Sequence, residues 1–375
     1  MAEISRRKFF AAGAAVGAAA GAVAASVTGA EAAEAAKPAA KVAAKSAARA
    51  GGRAQLPDVF GPEFMYQWSP AKTLKRDLTP GKAVIRLCGQ GSFQRMTNVE
   101  GTDYDALFGK MAANGWTACE AGSAAWLARK VPSSEVATIK AAAKKHDVVF
   151  YNIHCAGNII APDPDADRWQ RHIIDAIHSA EEFDCPTILT HVGSMYANRN
   201  WAHPLNWSEE CYKRSVTALK RICKDTAGSK VAISIEPVNT EFLNNPWSMK
   251  RLQEDVGDER LRCGLDITNM VHPNVAFRMT ELTNVTFELL GDRIFYLHAK
   301  DFVWNEMLPG MSWAMNGTGN MDYELWLAHT SRLTARPEIY VMIEFLNQDE
   351  EYTQAQKNIR AIADKIGVKI HGKQA

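Results

Sequence analysis

Glu236, Asp266, His298 and Glu344 are the residues of this chain best suited to chemistry, because each ends a short apolar run of β character. The runs occupy 231–236, 262–266, 294–298 and 339–344, and each closes on a side chain that burial alone would penalise. A buried carboxylate is costly unless it is paired or holds a metal. Three carboxylates and one imidazole at neighbouring strand ends would repel one another if left empty, so a divalent cation is the economical partner. Side-chain alternation supports a shared focus. Ser234 and Ala232 lie on the face of Glu236, whereas Ile235, Ile233 and Val231 take the other. Gly264 likewise shares the face of Asp266, and Ile343, Val341 and Ile339 oppose Glu344. The acids therefore face a tight interior, and the branched residues face covering helices.

Such convergence needs a repeating scaffold. Strand-like segments fall at 83–88, 117–121, 148–155, 187–193, 231–238, 263–267, 294–299 and 338–345. Amphipathic segments alternate with them at 104–113, 134–145, 167–183, 209–226, 248–256, 275–290, 323–334 and 352–366. In the third of these, Trp169, Ile173, Ile177 and Ala180 form one apolar face. Eight β/α units within about 290 residues predict a (β/α)8 TIM barrel, whose functional groups gather at the carboxyl ends of the strands. The four acid and imidazole groups then sit on strands five to eight. An open doubly wound sheet is the alternative, but Cys88-Gly89-Gln90-Gly91 runs into Ser92-Phe93 without G-x-G-x-x-G spacing.

Other residues share the same mouth. His154 and His191 end strands three and four with inward alternation, and suit a hydrogen bond to a substrate hydroxyl, a base, or a core histidine bonded to a carbonyl. Glu120, Asn152, Asn239 and Lys300 are further candidate substrate contacts, with Lys300 on the face of His298 and able to bind an oxyanion. Trp201, Trp207, Trp304 and Trp313 fall between the elements, where they either stack on a sugar or cover a lid, and Trp304 is taken as a substrate contact.

The 375 residues, 47% hydrophobic and 23% charged, can bury a large core. Ser5-Arg6-Arg7-Lys8-Phe9-Phe10, an Ala/Gly/Val run and small residues around Ala30-Glu31-Ala32 read as a twin-arginine export signal over 1–32. The run is too Ala- and Gly-rich for a lasting membrane anchor, and export would place the protein in the periplasm or outside the cell. Residues 33–55 are Ala, Lys and Gly with no aromatic side chain, which fits a solvated tether before a domain at 56–375. Eight of the 43 basic residues but three of the 42 acidic ones precede Gln55, so the remainder is formally four charges negative. An acidic body argues against nucleic acid as a partner. The seven cysteines form no C-x-x-C pair and read as scattered buried thiols.

The chain resembles the xylose isomerase-like TIM barrels, which include ketose 3-epimerases, hydroxypyruvate isomerases, inosose dehydratases and, more distantly, endonuclease IV. The resemblance rests on Ile235-Glu236-Pro237-Val238-Asn239, Gly264-Leu265-Asp266, Leu297-His298-Ala299-Lys300-Asp301, Gly317-Thr318-Gly319-Asn320-Met321-Asp322-Tyr323 and Ile343-Glu344. It implies that Glu236, Asp266, His298 and Glu344 hold one divalent metal, manganese favoured among manganese, magnesium, cobalt, zinc and iron. It also implies that Glu236 and Glu344 move a proton on opposite faces of a carbon beside a carbonyl, through an enediolate. Asn269 and Trp304 stand where ketose 3-epimerases carry histidine and arginine, and the glutamate expected after E-P-x-N is displaced to Glu241. These departures spare the metal ligands but not the grip on a free ketohexose. The expected function is an exported metal-dependent sugar isomerase or epimerase. A lyase acting on a keto-sugar, keto-glycoside or keto-polyol comes second, and a non-catalytic carbohydrate-binding barrel third; a homo-oligomer is compatible with each.

Overall fold

The computed structural model describes residues 75–90, 102–120, 133–273, 275–305 and 310–373. The twin-arginine segment, the Ala/Lys-rich tether and Gly91-Ser92-Phe93 lie outside the described residues. Within them, short runs of branched and aromatic residues form strands, and the amphipathic stretches form helices. In chain order these are β1 (Val84–Gly89), α1 (Tyr104–Ala113), β2 (Ala118–Glu120), α2 (Ser133–Lys145), β3 (Val149–His154), α3 (Asp165–Glu182), β4 (Thr187–Thr190) and α4 (Glu209–Asp225). There follow β5 (Ala232–Ile235), α5 (Pro246–Val256), β6 (Leu261–Leu265), α6 (Met279–Leu290) and β7 (Ile294–Ala299). An antiparallel hairpin of β8 (Asp301–Asn305) and β9 (Gly310–Ala314) precedes α7 (Tyr323–Arg332), β10 (Glu338–Ile343) and α8 (Asp349–Ile366).

Eight parallel strands form one sheet in the order β1-β10-β7-β6-β5-β4-β3-β2. The Thr117 N–H, just before β2, donates to the Leu87 carbonyl of β1 at 3.2 Å and draws the two edges together. The result is a nearly closed TIM barrel, as the alternation of elements predicts. Ile233, Ile235, Val341 and Ile343 are fully buried beneath the helices. On the interior, Thr187 and Ser234 hydroxyls meet at 2.8 Å, and the Tyr151 ring stacks on Tyr340 at 5.0 Å. A bulge in β3 makes this possible. Cys119 pairs with Phe150 but Glu120 pairs with Asn152, so one residue of β3 is extra and the alternation is reset at Tyr151. Tyr151 and Asn152 consequently both serve the interior side.

Three local features depart from the expected elements. The helix expected over 248–256 begins at Pro246, because Asn245 accepts from the Ser248 N–H at 2.9 Å and proline suits the first turn. The helix expected from residue 275 begins at Met279. Trp304 and Trp313, expected between elements, lie on the β8–β9 hairpin, where Phe302 faces Trp313 and Trp304 faces Met311. Among the described residues, no helix is long and apolar enough to cross a membrane. All seven cysteines are buried and unpaired by disulfide.

Asp301 anchors the hairpin to the segment that follows it. Its carboxylate accepts from the backbone N–H groups of Phe302, Gly317, Gly319 and Met321 at 2.8 to 3.1 Å. Gly319 must lack a side chain for this, because a Cβ there would lie 2.4 Å from the Phe302 carbonyl oxygen and 2.3 Å from an Asp301 oxygen. Gly319→Ala is expected to destabilise the protein by about 1–3 kcal/mol through overpacking. Urea denaturation checks this, and an unchanged midpoint would show that the segment relaxes freely.

Candidate metal centre

Backbone geometry delivers the four groups to one point. Glu236, Asp266 and Glu344 each stand one residue beyond β5, β6 and β10, and His298 is the penultimate residue of β7. The Glu236 N–H donates to the Thr190 carbonyl at 3.0 Å, and the Glu344 N–H to the Ala299 carbonyl at 3.1 Å, so both acids leave the sheet from fixed backbone. One ligand atom from each of the four lies within 4.8 Å of the others, and all four residues are buried. His298 Nδ1 is 3.3 Å from Glu236 Oε1, 3.8 Å from Asp266 Oδ2 and 3.4 Å from Glu344 Oε2.

Neighbouring groups hold each acid, and the oxygens nearest His298 carry contacts of their own: Glu236 Oε1 with Asn269, and Asp266 Oδ2 and Glu344 Oε2 with Lys300. Asp266 Oδ1 accepts from the Thr268 N–H at 3.0 Å, the Thr268 hydroxyl at 2.6 Å and the Asn269 N–H at 3.3 Å. Asn269 Nδ2 donates to Glu236 at 2.8 Å, and Gln90 Nε2 to Glu344 at 3.4 Å. Both ring nitrogens of His298, by contrast, are buried without a hydrogen bond. An orphaned buried imidazole facing three carboxylates fits a metal ligand.

Charge points the same way. Lys300 Nζ ion-pairs with Asp266 and lies 2.8 Å from Glu344 Oε2, and these carboxylates hold it firmly protonated against the cost of burial. With the imidazole neutral, as a metal ligand must be, three carboxylates and one ammonium leave a formal charge of −2. A divalent cation cancels it, and carboxylate with imidazole suits several such ions. Burial raises the pKa of every acid here, but not with equal outcome. Until a cation takes its place, a proton is held on His298 by Glu344 and Glu236 against burial, and that charge, with His191 and Lys300, holds the Glu236 pKa below the carboxylate range. At Glu344 burial wins over His298 and Lys300, so its pKa is raised.

The remaining candidates ring this centre unevenly. His191 Nε2 is 3.5 Å from Glu236 Oε2, and burial lowers its pKa to about 3. Burial likewise lowers His154, whose ring lies 6.4 Å from that of His191. Both imidazoles are thus neutral at ordinary pH, with His154 Nε2 and His191 Nδ1 unpartnered. Asn152 donates to Glu120, deeper in the barrel, and Asn239 is exposed on the loop after Glu236. Trp304 is partly buried on the hairpin. The pairing of Asn269 with Glu236, and of Thr268 with Asp266, was not foreseen from the sequence. The second had a signal, since aspartate two residues before threonine is a turn that bonds its own backbone. Glu241, buried and accepting from the Gly193 N–H at 2.9 Å, also belongs to this end of the barrel.

Adding manganese to metal-free protein is expected to raise its thermal midpoint, by a stabilisation of about 2.7 kcal/mol at a hundredfold excess over Kd. His298→Ala should abolish the rise. Glu120 supplies a separate pH signature. Burial lifts its pKa to about 7, so the folded state keeps a proton that the unfolded chain has lost near its ordinary value of 4.5. Its contribution is therefore fully present below pH 4.5 and is lost as pH rises through 7. Urea melts at pH 5 and pH 8 should show a smaller decline for Glu120→Gln than for the natural chain, by up to about 3 kcal/mol.

Comparison with known proteins agrees with this geometry. No curated protein matches the sequence. Among solved structures, the chain is similar to a probable 3-DHS dehydratase involved in petrobactin synthesis from Bacillus anthracis, at 13% identity and a TM-score of 0.57, covering 75% of this chain and 98% of that one. It is similar to a D-psicose 3-epimerase solved in the presence of D-fructose, at 15% identity and a TM-score of 0.53, covering 71% and 94%. It also resembles the IOLI protein solved with a binding zinc atom, at 14% identity and a TM-score of 0.53, covering 75% and 96%. At such identities the likeness is one of fold. A model of the xylose isomerase-like TIM barrel matches residues 108–365, the greater part of the sequence, and the chain belongs to that family.

Proposed function

We propose that the protein is a divalent-metal-dependent sugar isomerase or epimerase that moves a proton beside a carbonyl. The observation that carries this reading is the approach of two glutamates to one cation site from opposite sides. Glu236 comes from β5 and Glu344 from β10, strands separated in the sheet by β6 and β7, yet each reaches within 3.4 Å of His298 Nδ1. A bound cation, with manganese favoured, would polarise the substrate carbonyl and make the neighbouring C–H acidic. Of Glu236 and Glu344, one would remove the proton and the other return it on the opposite face. Asn269 donates to Glu236 Oε1 and Gln90 to Glu344 Oε1, and these bonds help to orient the two carboxylates. Fold likeness to the D-psicose 3-epimerase supports a small sugar as substrate.

A lyase on the same site is the second reading. The unpartnered nitrogens of His154 and His191 favour it, because elimination needs a group that meets the departing oxygen as well as a base. The likeness to the probable dehydratase lends support at the level of fold. The twin-arginine motif supports export, which would put this chemistry where glycosides and oxidised sugars meet the cell.

Incubation of the manganese-loaded enzyme with candidate keto-sugars in deuterated water should introduce deuterium at the carbon beside the carbonyl. Product analysis then separates an epimer or isomer from an eliminated fragment. Glu236→Gln and Glu344→Gln should each lower kcat on the order of 10²–10⁴. Natural rates in either variant would remove the two-glutamate scheme.

A further inference from the structure

Beside the ligand set the barrel mouth carries two large aromatic side chains that the proton-transfer scheme does not use. Trp313 and Phe345 remain 41% and 48% exposed, with ring centroids 4.8 Å apart and planes inclined by 36°. Their position is tied to the reacting centre. Phe345 directly follows Glu344 and holds a left-handed backbone with φ of 62°, a strained conformation for a non-glycine residue that clusters at binding sites. Trp313 lies on β9 opposite Phe302, on the face shared by the Trp304–Met311 pair. The hairpin thus supplies an apolar backing for the exposed ring.

Which ring of a substrate this ledge receives follows from Lys300. Its ammonium lies 4.2 Å from the Phe345 centroid and 5.7 Å from that of Trp313, while reaching Glu344 at 2.8 Å. The side of the ledge nearest the ligands is therefore covered by a fixed cation, and the exposed area continues outward. A sugar gripped at the cation site cannot lie on that outer area, whereas a group attached to it can. Aromatic faces bind rings through broad apolar contact, and two rings left partly in water gain from being covered.

We propose that the substrate is a glycoside, in which the reacting keto-sugar carries a second ring that packs on Trp313 and Phe345. The inference rests on the proton-transfer reading for its inner sugar and adds the class of molecule. Methyl and phenyl β-glycosides of glucose, galactose and mannose serve as unreactive probes, titrated calorimetrically into the full manganese-loaded protein. For at least one sugar the phenyl glycoside should bind tenfold or more tightly than its methyl counterpart. Trp313→Ala and Phe345→Ala should each reduce that ratio below about threefold while manganese affinity is unchanged, which shows that the site is intact. Equal affinities for phenyl and methyl glycosides, binding by none of the six, or a preference that survives both substitutions would overturn the proposal. Deuterium exchange separates the two ideas: exchange without a phenyl preference sinks the glycoside, and a phenyl preference without exchange with any keto-sugar sinks the proton transfer.

Discussion

Repulsion among three carboxylates is the constraint on which the rest of the site depends. Glu236, Asp266 and Glu344 are almost completely withdrawn from water and share one coordination sphere with His298. Such an arrangement persists only if each acid is held from behind and a cation sits in front. Both conditions are met by identifiable groups. Thr268 and Gln90 bond the outer oxygens of Asp266 and Glu344, Asn269 bonds Glu236 Oε1, and Lys300 supplies one positive charge. The deficit that remains equals the charge of a divalent ion.

The barrel makes this concentration of charge possible because it spreads the backbone cost. Glu236 and Glu344 leave the sheet where a main-chain bond to the neighbouring strand fixes each, and Asp266 directly follows β6, so the ligands come from strand ends. Rigid strand ends hold a coordination geometry better than loops do. Asp301 performs a similar office for the hairpin, gathering four N–H groups so that β8 and β9 stand beside the mouth. The mouth is consequently two-sided. Neutral imidazoles and acids crowd the β3 to β6 side, and apolar rings border the side of β9 and Phe345.

Membership of the family sets limits on inference as well as licences. A shared barrel carries many activities, so likeness at 13 to 15% identity establishes the fold, and the activity is argued from the residues of the mouth. Asn269 illustrates the point. It stands where ketose 3-epimerases carry histidine, yet it makes the hydrogen bond that orients Glu236. A change that weakens the case for a free ketohexose is thereby compatible with an intact acid and base.

Strand order, inward-facing acids and the eight-fold repeat were legible in the chain because period-two alternation and strand-terminal polarity are local properties. An apolar run ending on Glu236 or Glu344 announces its burial, since few folded environments tolerate that placement without a counter-ion. The bulge at Tyr151 was not legible, because only the register between β2 and β3 reveals the extra residue. Nor was the hairpin of Trp304 and Trp313, whose strands pair with each other outside the barrel. Lys300 could be placed on the face of His298 from its spacing, but not between Asp266, Glu344 and the Phe345 ring, which come from two other segments. Sequence alone determined which residues would be forced together by burial and charge. Tertiary structure decided which atoms of those residues face the centre and which rings border it, because those choices depend on distances between strands that are remote in the chain.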